Sequence, residues 1–184
     1  MQGPDAGVFD APISVGLIGS LRKQLEPSAQ FRWRDDLVGV HLTGGDLSVC
    51  IITYGATIQD LRMVGHDHPL VLGLDSIADY EAHGQFFGAI AGRCANRISQ
   101  GRFRLDGSDY QLEVENGQAH HLHGGPMGFF ARHWSVDDAT ESSVTLSLES
   151  RDGDMGYPGN LRAICRYELT ADNELVITLT GKAD

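Results

Sequence analysis

Short runs in which apolar and polar residues alternate recur from Phe31 to the end of the sequence, and most are closed by glycine or aspartate. An alternation with a period of two is typical of a strand that buries one face, and the 23 glycines supply turns between such strands. The pattern therefore predicts an all-β chain. We place strands at residues 38–42, 47–53, 57–64, 70–73, 86–91, 144–148, 161–169 and 175–182, the fifth of them a continuous apolar run of the buried type.

Two turn signals join neighbouring runs into hairpins. Asp106-Gly107 lies between two alternating segments, and Asp172-Asn173 lies between the last two predicted strands. An Asp-Gly pair is favoured in tight hairpin turns because both of its residues adopt positive φ readily. We therefore predict one hairpin in the middle of the chain and a second one near its end.

One domain accounts for most of the chain. With 184 residues and a mass of 20.0 kDa, the chain is long enough to bury one hydrophobic core. Residues 1–30 contain scattered glycine and proline without sustained periodicity, so we expect a loose leader with one short helical turn near residues 21–25. The domain then spans 31–184, and Asp75 and Ser76 offer an N-cap for a brief helical turn inside it.

The charge of the chain limits the classes of partner. The 14 basic and 25 acidic residues give a formal net charge of -11 at pH 7. Such a charge repels nucleic acid and anionic membrane surfaces, whereas a neutral sugar is unaffected. The sequence also has no apolar run of about 18 residues that could cross a bilayer, and its first residues do not follow the pattern of a signal peptide. We therefore expect no nucleic-acid partner and no membrane partner.

The three cysteines, Cys50, Cys94 and Cys165, are far apart in the sequence and have no Cys-x-x-Cys spacing. An odd number at these distances indicates neither a zinc site nor a disulfide framework, so the predicted location is a reducing cytoplasm. Cys94 has no identifiable acid or base partner in the sequence, and we do not predict it to be a nucleophile.

The polar residues best suited to bind a ligand are concentrated in residues 92–134, where Asn96, Arg97 and His123 lie on either side of the first hairpin. A guanidinium presents up to five donors in a fixed fork and can bridge two neighbouring hydroxyls. A histidine donates or accepts at a sugar oxygen, and the glycines after His123 allow a ligand to approach closely. Taken alone, such an arginine or histidine more often has a structural role.

The cluster His120-His121-x-His123 also raises the question of a metal site. In an extended chain His121 and His123 share a face and His120 does not, and no cysteine pair or His-x-x-x-His spacing supplies a third ligand. We therefore predict no metal. Tyr157, which precedes Pro158, is predicted to be a loop anchor packed on the sheet.

The motifs between residues 38 and 182 resemble those of the aldose 1-epimerase family, the galactose mutarotases. The family pattern Gly-Arg-x-Ala-Asn-Arg-Ile is present at residues 92–98, and Leu-His-Gly-Gly is present at 122–125, followed by Gly-Phe and a tryptophan. A hairpin pattern of the form Gly-x-Phe-x-x-Asp-Gly-x-x-Tyr-x-Leu lies between them, and Gly-Tyr-Pro-Gly follows at 156–159.

This resemblance implies a large β-sandwich of the galactose mutarotase-like (supersandwich) type and an activity that interconverts the α and β anomers of a hexose such as galactose or glucose. It implies that Asn96 and Arg97 contact the sugar hydroxyls and that Arg93 is a scaffold residue. His123 would hold and polarise the pyranose as an auxiliary catalytic residue. The expected partner is a small-molecule aldose, and no cofactor is implied.

Two catalytic groups of the family have no counterpart in these 184 residues. In the family the general acid is a second histidine, in a segment that resembles Asn-Leu-Thr-Asn-His-Ser-Tyr-Phe, and the general base is a glutamate close to the C-terminus. We therefore expect a truncated sandwich, the N-terminal half of a mutarotase, without the catalytic acid and base.

Two other functions fit the same residues. A non-catalytic carbohydrate-binding β-sandwich agrees with the missing acid and base, and a related sugar-phosphate epimerase is disfavoured by the net charge and by the lack of a basic cluster beside the motif. A truncated sandwich would also leave strands uncovered. We expect self-association through that uncovered sheet, with a ragged edge near residues 175–180.

Overall fold

The computed structural model describes residues 11–16, 32–34, 37–74, 76–83 and 86–184. These residues form antiparallel strands, one short α-helix and two single 3₁₀ turns, and none of their helices has the length and apolarity to span a bilayer. The elements in chain order are β1 (Ala11–Gly16), β2 (Arg32–Arg34), β3 (Leu37–Gly44), β4 (Leu47–Ile52), β5 (Thr57–Met63), α1 (Ile77–His83), β6 (Ile98–Ser99), β7 (Arg102–Leu105), β8 (Ser108–Gln111), β9 (His120–His121), β10 (Ser135–Ala139), β11 (Ser143–Ser150), β12 (Leu161–Leu169) and β13 (Glu174–Ala183).

Two antiparallel sheets form the body of the fold. One has the strand order β1-β13-β12-β11-β10, and the other has the order β2-β3-β4-β5. Their apolar faces share one core, to which β3, β4 and β5 contribute from one side and β11, β12 and β13 from the other. The predicted all-β sandwich is therefore confirmed. The most deeply buried side chains of this core include Leu42, Leu47, Ile51, Ala56, Val144, Leu146, Cys165 and Tyr167.

Strand β12 shows why the sequence folds in this way. Ala163, Cys165 and Tyr167 are buried, and the residues between them are more exposed. Because successive side chains of a strand point to opposite faces, the alternation places one set in the core and the other in solvent. The buried Tyr167 hydroxyl donates to the Ala56 carbonyl oxygen at 2.6 Å, which ties the two sheets together.

The predicted hairpins are confirmed. In the first, β7 pairs with β8, and both turn residues have positive φ, 50° at Asp106 and 84° at Gly107. In the second, β12 pairs with β13 across a turn in which Asn173 has a φ of 64°. The brief helix is also present as α1, and the Ser76 hydroxyl accepts a hydrogen bond from the Asp79 amide at 3.3 Å as its N-cap.

Two predicted strands are wrong. At residues 70–73 a single backbone bond, from the Leu70 amide to the Leu61 carbonyl at 2.8 Å, replaces a ladder, and the Leu72 side chain is 76% exposed. At residues 86–91 Gly88 turns the backbone with a φ of 67°, and Phe86 remains 48% exposed. The apolar composition of these segments reflects packing of loops against the sheets, which local periodicity does not distinguish from a buried strand.

Strand β1 lies within the predicted leader. Its residues pair with β13 over the register from Ala11 opposite Leu179 to Gly16 opposite Glu174. The expected ragged edge near residues 175–180 is therefore wrong, because β13 has a neighbour on both sides. The helical turn expected near residues 21–25 lies outside the described residues, and the division into a leader and a domain stays a prediction.

The environments of the three thiols differ sharply. Burial raises the pKa of Cys50 to about 11, with a further contribution from the charge of Asp60, and burial raises the pKa of Cys165 to about 12. The Cys94 side chain is exposed. Since the thiolate is the reactive form, Cys94 is the only thiol of the three that the folded chain presents in a reactive setting.

We expect iodoacetamide at about pH 8 to alkylate Cys94 alone in the folded chain and all three cysteines after unfolding in guanidinium. Peptide mass spectrometry locates the modified residues. Rapid alkylation of Cys50 or Cys165 in the folded chain would contradict the described packing.

The raised pKa values of the buried thiols also predict how the stability of the chain changes with pH. Because the unfolded thiols ionise at about 9.0, the free energy of unfolding falls as the pH rises from that value towards 11.

Candidate functional site

Two short strands bring the two motif segments side by side. In the antiparallel pair β6–β9, Ile98 lies opposite His121 and Ser99 lies opposite His120. Arg97 directly precedes β6, and His123 follows β9 by two residues. The fold therefore places the Asn-Arg pair and the Leu-His-Gly-Gly turn in one neighbourhood, although Arg97 and Leu122 are 25 positions apart in the sequence.

His123 is held in a defined orientation at this junction. Its backbone has a φ of 50°, its Nδ1 lies 3.1 Å from the Ala95 carbonyl oxygen, and its ring lies against Phe86 with centroids 4.9 Å apart. A carbonyl oxygen can only accept, so Nδ1 carries the proton. In the neutral imidazole, Nε2 then has a free lone pair and acts as a hydrogen-bond acceptor.

The Asn96 and Arg97 side chains are exposed and supply donors. The Asn96 Oδ1 accepts a hydrogen bond from the Arg97 amide at 2.8 Å, which leaves the Nδ2 amine of Asn96 available as a donor. Among the described residues, the Arg97 guanidinium has no hydrogen-bond or ion-pair partner. This neighbourhood thus presents donors from Asn96 and Arg97 together with an acceptor from His123.

Gly124 is required for the close packing of the two segments. Its backbone has a φ of 91°, and a Cβ at this position would overlap the Gly92 carbonyl oxygen. The same Gly92 oxygen accepts a hydrogen bond from the Phe129 amide at 3.2 Å. The glycines of the motif therefore serve backbone contact between the two segments, beyond the ligand approach predicted from the sequence.

Arg93 has the scaffold role that the resemblance implies. Its Nε donates to the Ser150 hydroxyl at 2.9 Å, and its two terminal nitrogens donate to four backbone carbonyls. Burial lowers the pKa of Arg93, and nearby Asp154 opposes that effect. The guanidinium is therefore used within the protein. The carbonyl acceptors belong to Ser150, Arg151, Pro158 and Gly159.

The other two histidines of the cluster are engaged by the protein. The buried His121 contacts the Glu113 carbonyl oxygen through Nδ1 and the Tyr157 hydroxyl through Nε2, the latter at 2.7 Å. The exposed His120 accepts a hydrogen bond at Nδ1 from the Gln100 amide at 3.1 Å. Within the described part of the chain no group of three or more His, Cys, Asp or Glu side chains is arranged to hold a metal ion.

A cavity of about 330 Å³ is lined by Leu122, the sequence neighbour of His123, but His123, Asn96 and Arg97 do not line it themselves. Phe86 connects the cavity to His123, because its ring contacts His123 and also Phe130, with centroids 4.6 Å apart in the second pair. The sequence does not single out Phe86, because it lies in an apolar run interpreted as a buried strand. It also does not single out Glu113 and Glu115, which line the cavity as well. The cavity is lined by Phe86, Glu113, Glu115, Gln118, His120, Leu122, Gly125, Pro126 and Phe130.

Comparison with known proteins gives a consistent result. The family model described as aldose 1-epimerase matches residues 40–184. The chain is 38% identical over 139 residues to the aldose 1-epimerase of Escherichia coli strain K12, and this match covers 74% of the chain and 40% of that protein. It is 39% identical over 145 residues to the galactose mutarotase of Bos taurus, covering 77% of the chain and 42% of that protein.

A solved structure supports the same relationship. The crystal structure of an aldose epimerase homologue from C. elegans matches with a TM-score of 0.75 and 31% sequence identity, covering 79% of the chain and 46% of that protein. The chain spans about 40% of the length of the curated relatives that it matches. The sequence match, the sandwich and the motif segments agree, and the chain belongs to the aldose 1-epimerase family.

Proposed function

We propose that this chain binds an aldose, a hexose such as galactose or glucose, through Asn96, Arg97 and His123. The observation that carries the proposal is that the Arg97 guanidinium, which has no partner among the residues described, lies in the same neighbourhood as a histidine whose Nδ1 contacts the Ala95 carbonyl oxygen. A sugar hydroxyl both donates and accepts. It can donate to Nε2 of His123 while a neighbouring hydroxyl accepts from Arg97.

Asn96, Arg97 and His123 each have a proposed role in the interconversion of the two anomers. Interconversion of anomers needs a proton at the ring oxygen and removal of the proton from the anomeric hydroxyl, after which the ring opens, rotates about C1–C2 and closes again. Asn96 and Arg97 orient the hydroxyls by donating to them, and His123 accepts from one hydroxyl and polarises it. These residues bind and orient the pyranose, and none of them replaces the missing acid and base pair.

The 184 residues are therefore proposed to bind the sugar of an aldose 1-epimerase without turning it over. The feature that supports this view is the lack, in this sequence, of any segment resembling the family's second-histidine motif. A non-catalytic carbohydrate-binding β-sandwich is the alternative function with the same support. The cavity next to His123, with Phe86 and Phe130 as apolar walls, offers room for the face of a pyranose ring.

Titration of the purified chain with galactose tests the proposed site. We expect Arg97→Ala to weaken binding by roughly 10- to 150-fold, because a hydrogen bond to a charged group contributes about 1.5–3 kcal/mol and every 1.4 kcal/mol is tenfold. His123→Ala removes a hydrogen bond between neutral groups, which contributes about 0.5–1.5 kcal/mol, and should weaken binding by roughly 2- to 12-fold. Arg104→Ala and His66→Ala are matched controls, since both side chains are exposed and neither residue belongs to the segments 92–98 and 122–125 that carry the proposed site. Unchanged affinity in both site variants would show that the site is wrongly assigned.

Three further properties of the chain stay proposals. A cytoplasmic location agrees with the three unpaired cysteines, two of which are buried. Self-association through exposed sheet edges stays a prediction, and the outer strands of the larger sheet, β1 and β10, are where it would take place. The absence of a nucleic-acid partner remains an expectation from the net charge of -11.

A further inference from the structure

Tyr157 lies between the two segments that carry the proposed sugar site. It is buried in the loop between β11 and β12, where its hydroxyl is 2.7 Å from Nε2 of His121. The guanidinium carbon of Arg93 lies 5.6 Å from the centroid of its ring. Arg93 precedes Arg97 by four residues, and His121 precedes His123 by two. One side chain thus contacts both segments.

The hydrogen bond between Tyr157 and His121 follows from the tautomer of the histidine. The Glu113 carbonyl oxygen lies against Nδ1 of His121, and a carbonyl only accepts, so Nδ1 carries a proton, and in the neutral imidazole Nε2 accepts from the Tyr157 hydroxyl. Burial, and secondly the neighbouring Cys94 side chain, raise the pKa of Tyr157, which keeps its hydroxyl protonated as a donor. His121 itself is 1% exposed, so Nε2 is shielded from bulk water and depends on the Tyr157 hydroxyl for its hydrogen bond.

The loop that carries Tyr157 is fixed to the other segment. Arg93 donates to backbone carbonyls at both ends of that loop, to Ser150 O and to Gly159 O, each at 2.9 Å. The ring of Tyr157 lies under the same guanidinium. A cation over an aromatic face is attracted to it, and the attraction is stronger away from water. The loop, the Arg93 segment and β9 therefore share one buried cluster.

We propose that Tyr157 is a positioning residue for the sugar site, joining the segment of Asn96 and Arg97 to the turn of His123 through Arg93 and His121. This inference rests on the proposed function for its sugar readout. Without the hydroxyl, Nε2 of His121 loses its partner in a buried position and β9 loses its anchor. His123 then samples orientations in which Nδ1 no longer meets the Ala95 carbonyl.

Tyr157→Phe tests the proposal because it removes the hydroxyl and retains the ring over which Arg93 lies. The first readout needs no sugar. In ¹⁵N-resolved spectra of the histidine rings, the Nδ1 proton of His123 should be observed in the parent chain and should exchange rapidly with water in the variant. The second readout is galactose titration, in which the variant should bind more weakly, by no more than the roughly 2- to 12-fold expected of His123→Ala.

Tyr110→Phe is the matched control, because among the described residues the Tyr110 hydroxyl has no hydrogen-bond partner and its ring stacks on Phe103 in the first hairpin. It should leave both readouts at parent values. Backbone amide spectra of β11 and β12 report whether the sandwich itself is intact. His121→Asn provides a second route, since it retains a donor for the Glu113 carbonyl and removes the acceptor of Tyr157, and it should reproduce both effects.

The outcomes separate the two proposals. If both Tyr157→Phe and His121→Asn leave the His123 ring signals identical to those of the parent chain, the positioning role is overturned. This holds at any galactose affinity of the two variants. If the ring signals change while galactose affinity does not, Tyr157 positions His123 but His123 does not hold the sugar, and the positioning of the sugar site is likewise refuted. A parent chain that does not bind galactose refutes the proposed function, while the ring signals still decide whether Tyr157 orients His123.

Discussion

Fresh α-D-galactose mixed with the 184-residue chain is expected to mutarotate at its rate in buffer alone. General acid and base groups each contribute about 10² to 10⁴ to such a proton-transfer reaction, and the segments that supply them in the family do not occur in this sequence. The role proposed for Asn96 and Arg97 is to orient hydroxyls by donating to them, and neither side chain is proposed as the acid or the base. Polarimetry after mixing, repeated at several concentrations of the chain, measures the rate directly.

Heat-denatured chain at the same concentration is the control for nonspecific catalysis. A faster optical change with the folded chain, lost on heating, would show that groups on this chain supply the acid and the base. His120 and Glu113 would then be the residues to replace, because both line the cavity beside His123. The proposed function predicts that the chain binds galactose measurably but does not accelerate its mutarotation.

Arg93→Met is expected to lower the free energy of unfolding by about 3 kcal/mol or more, because the lost guanidinium leaves the carbonyls and hydroxyl that it satisfied without a donor. A domain has only about 5–15 kcal/mol in total, so the variant should unfold at a much lower denaturant concentration. Chemical denaturation followed by circular dichroism measures the difference.

Arg97→Met is the matched control for this effect. The same chemical change at an exposed guanidinium without a partner in the described residues should shift the midpoint of unfolding by little, yet it should weaken sugar binding. The two neighbouring arginines of one motif are therefore expected to divide stability from binding. Equal destabilisation by both variants would contradict the assignment of Arg93 as scaffold and Arg97 as ligand-binding residue.

The sandwich strands are predictable from the sequence because their signal is local. Ala163, Cys165 and Tyr167 recur at every second position of β12, with Arg162, Arg166 and Glu168 on the opposite face, and this period of two places them on the buried face. The Asp106-Gly107 turn is also a local property, since its two positive φ angles suit these residue types. Where a pattern is local and periodic, the described structure follows it closely.

The failures come from contacts that are distant in the sequence. Pairing of β1 with β13, with Ile13 opposite Ile177, joins residues more than half the chain apart, and nothing in the leader's composition indicates it. Gly88 shows a second cause. The Ile58 amide donates to the Gly88 carbonyl oxygen, and the Ile90 amide donates to the Gly55 carbonyl oxygen. These bonds to a distant segment hold the apolar run in a turn, although its composition predicts a strand.

The candidate site was only half predictable for the same reason. The motif selects Asn96, Arg97 and His123 as candidates by residue type, but the orientation of His123 depends on the Ala95 carbonyl in another segment. Phe86 reaches His123 from a third segment, and its contact leaves no trace in local spacing. Sequence thus indicates which groups can bind a sugar, whereas the fold decides which of their atoms are free to do so.

The most direct measurement of the central claim is a diffraction experiment on crystals of the chain soaked in galactose. The account predicts a pyranose with one hydroxyl about 2.7–3.2 Å from Nε2 of His123 and another at a similar distance from the Arg97 guanidinium, while the Nδ1 contact of His123 with Ala95 is retained. A sugar held elsewhere on the chain, with Arg97 and His123 free of it, would contradict the account.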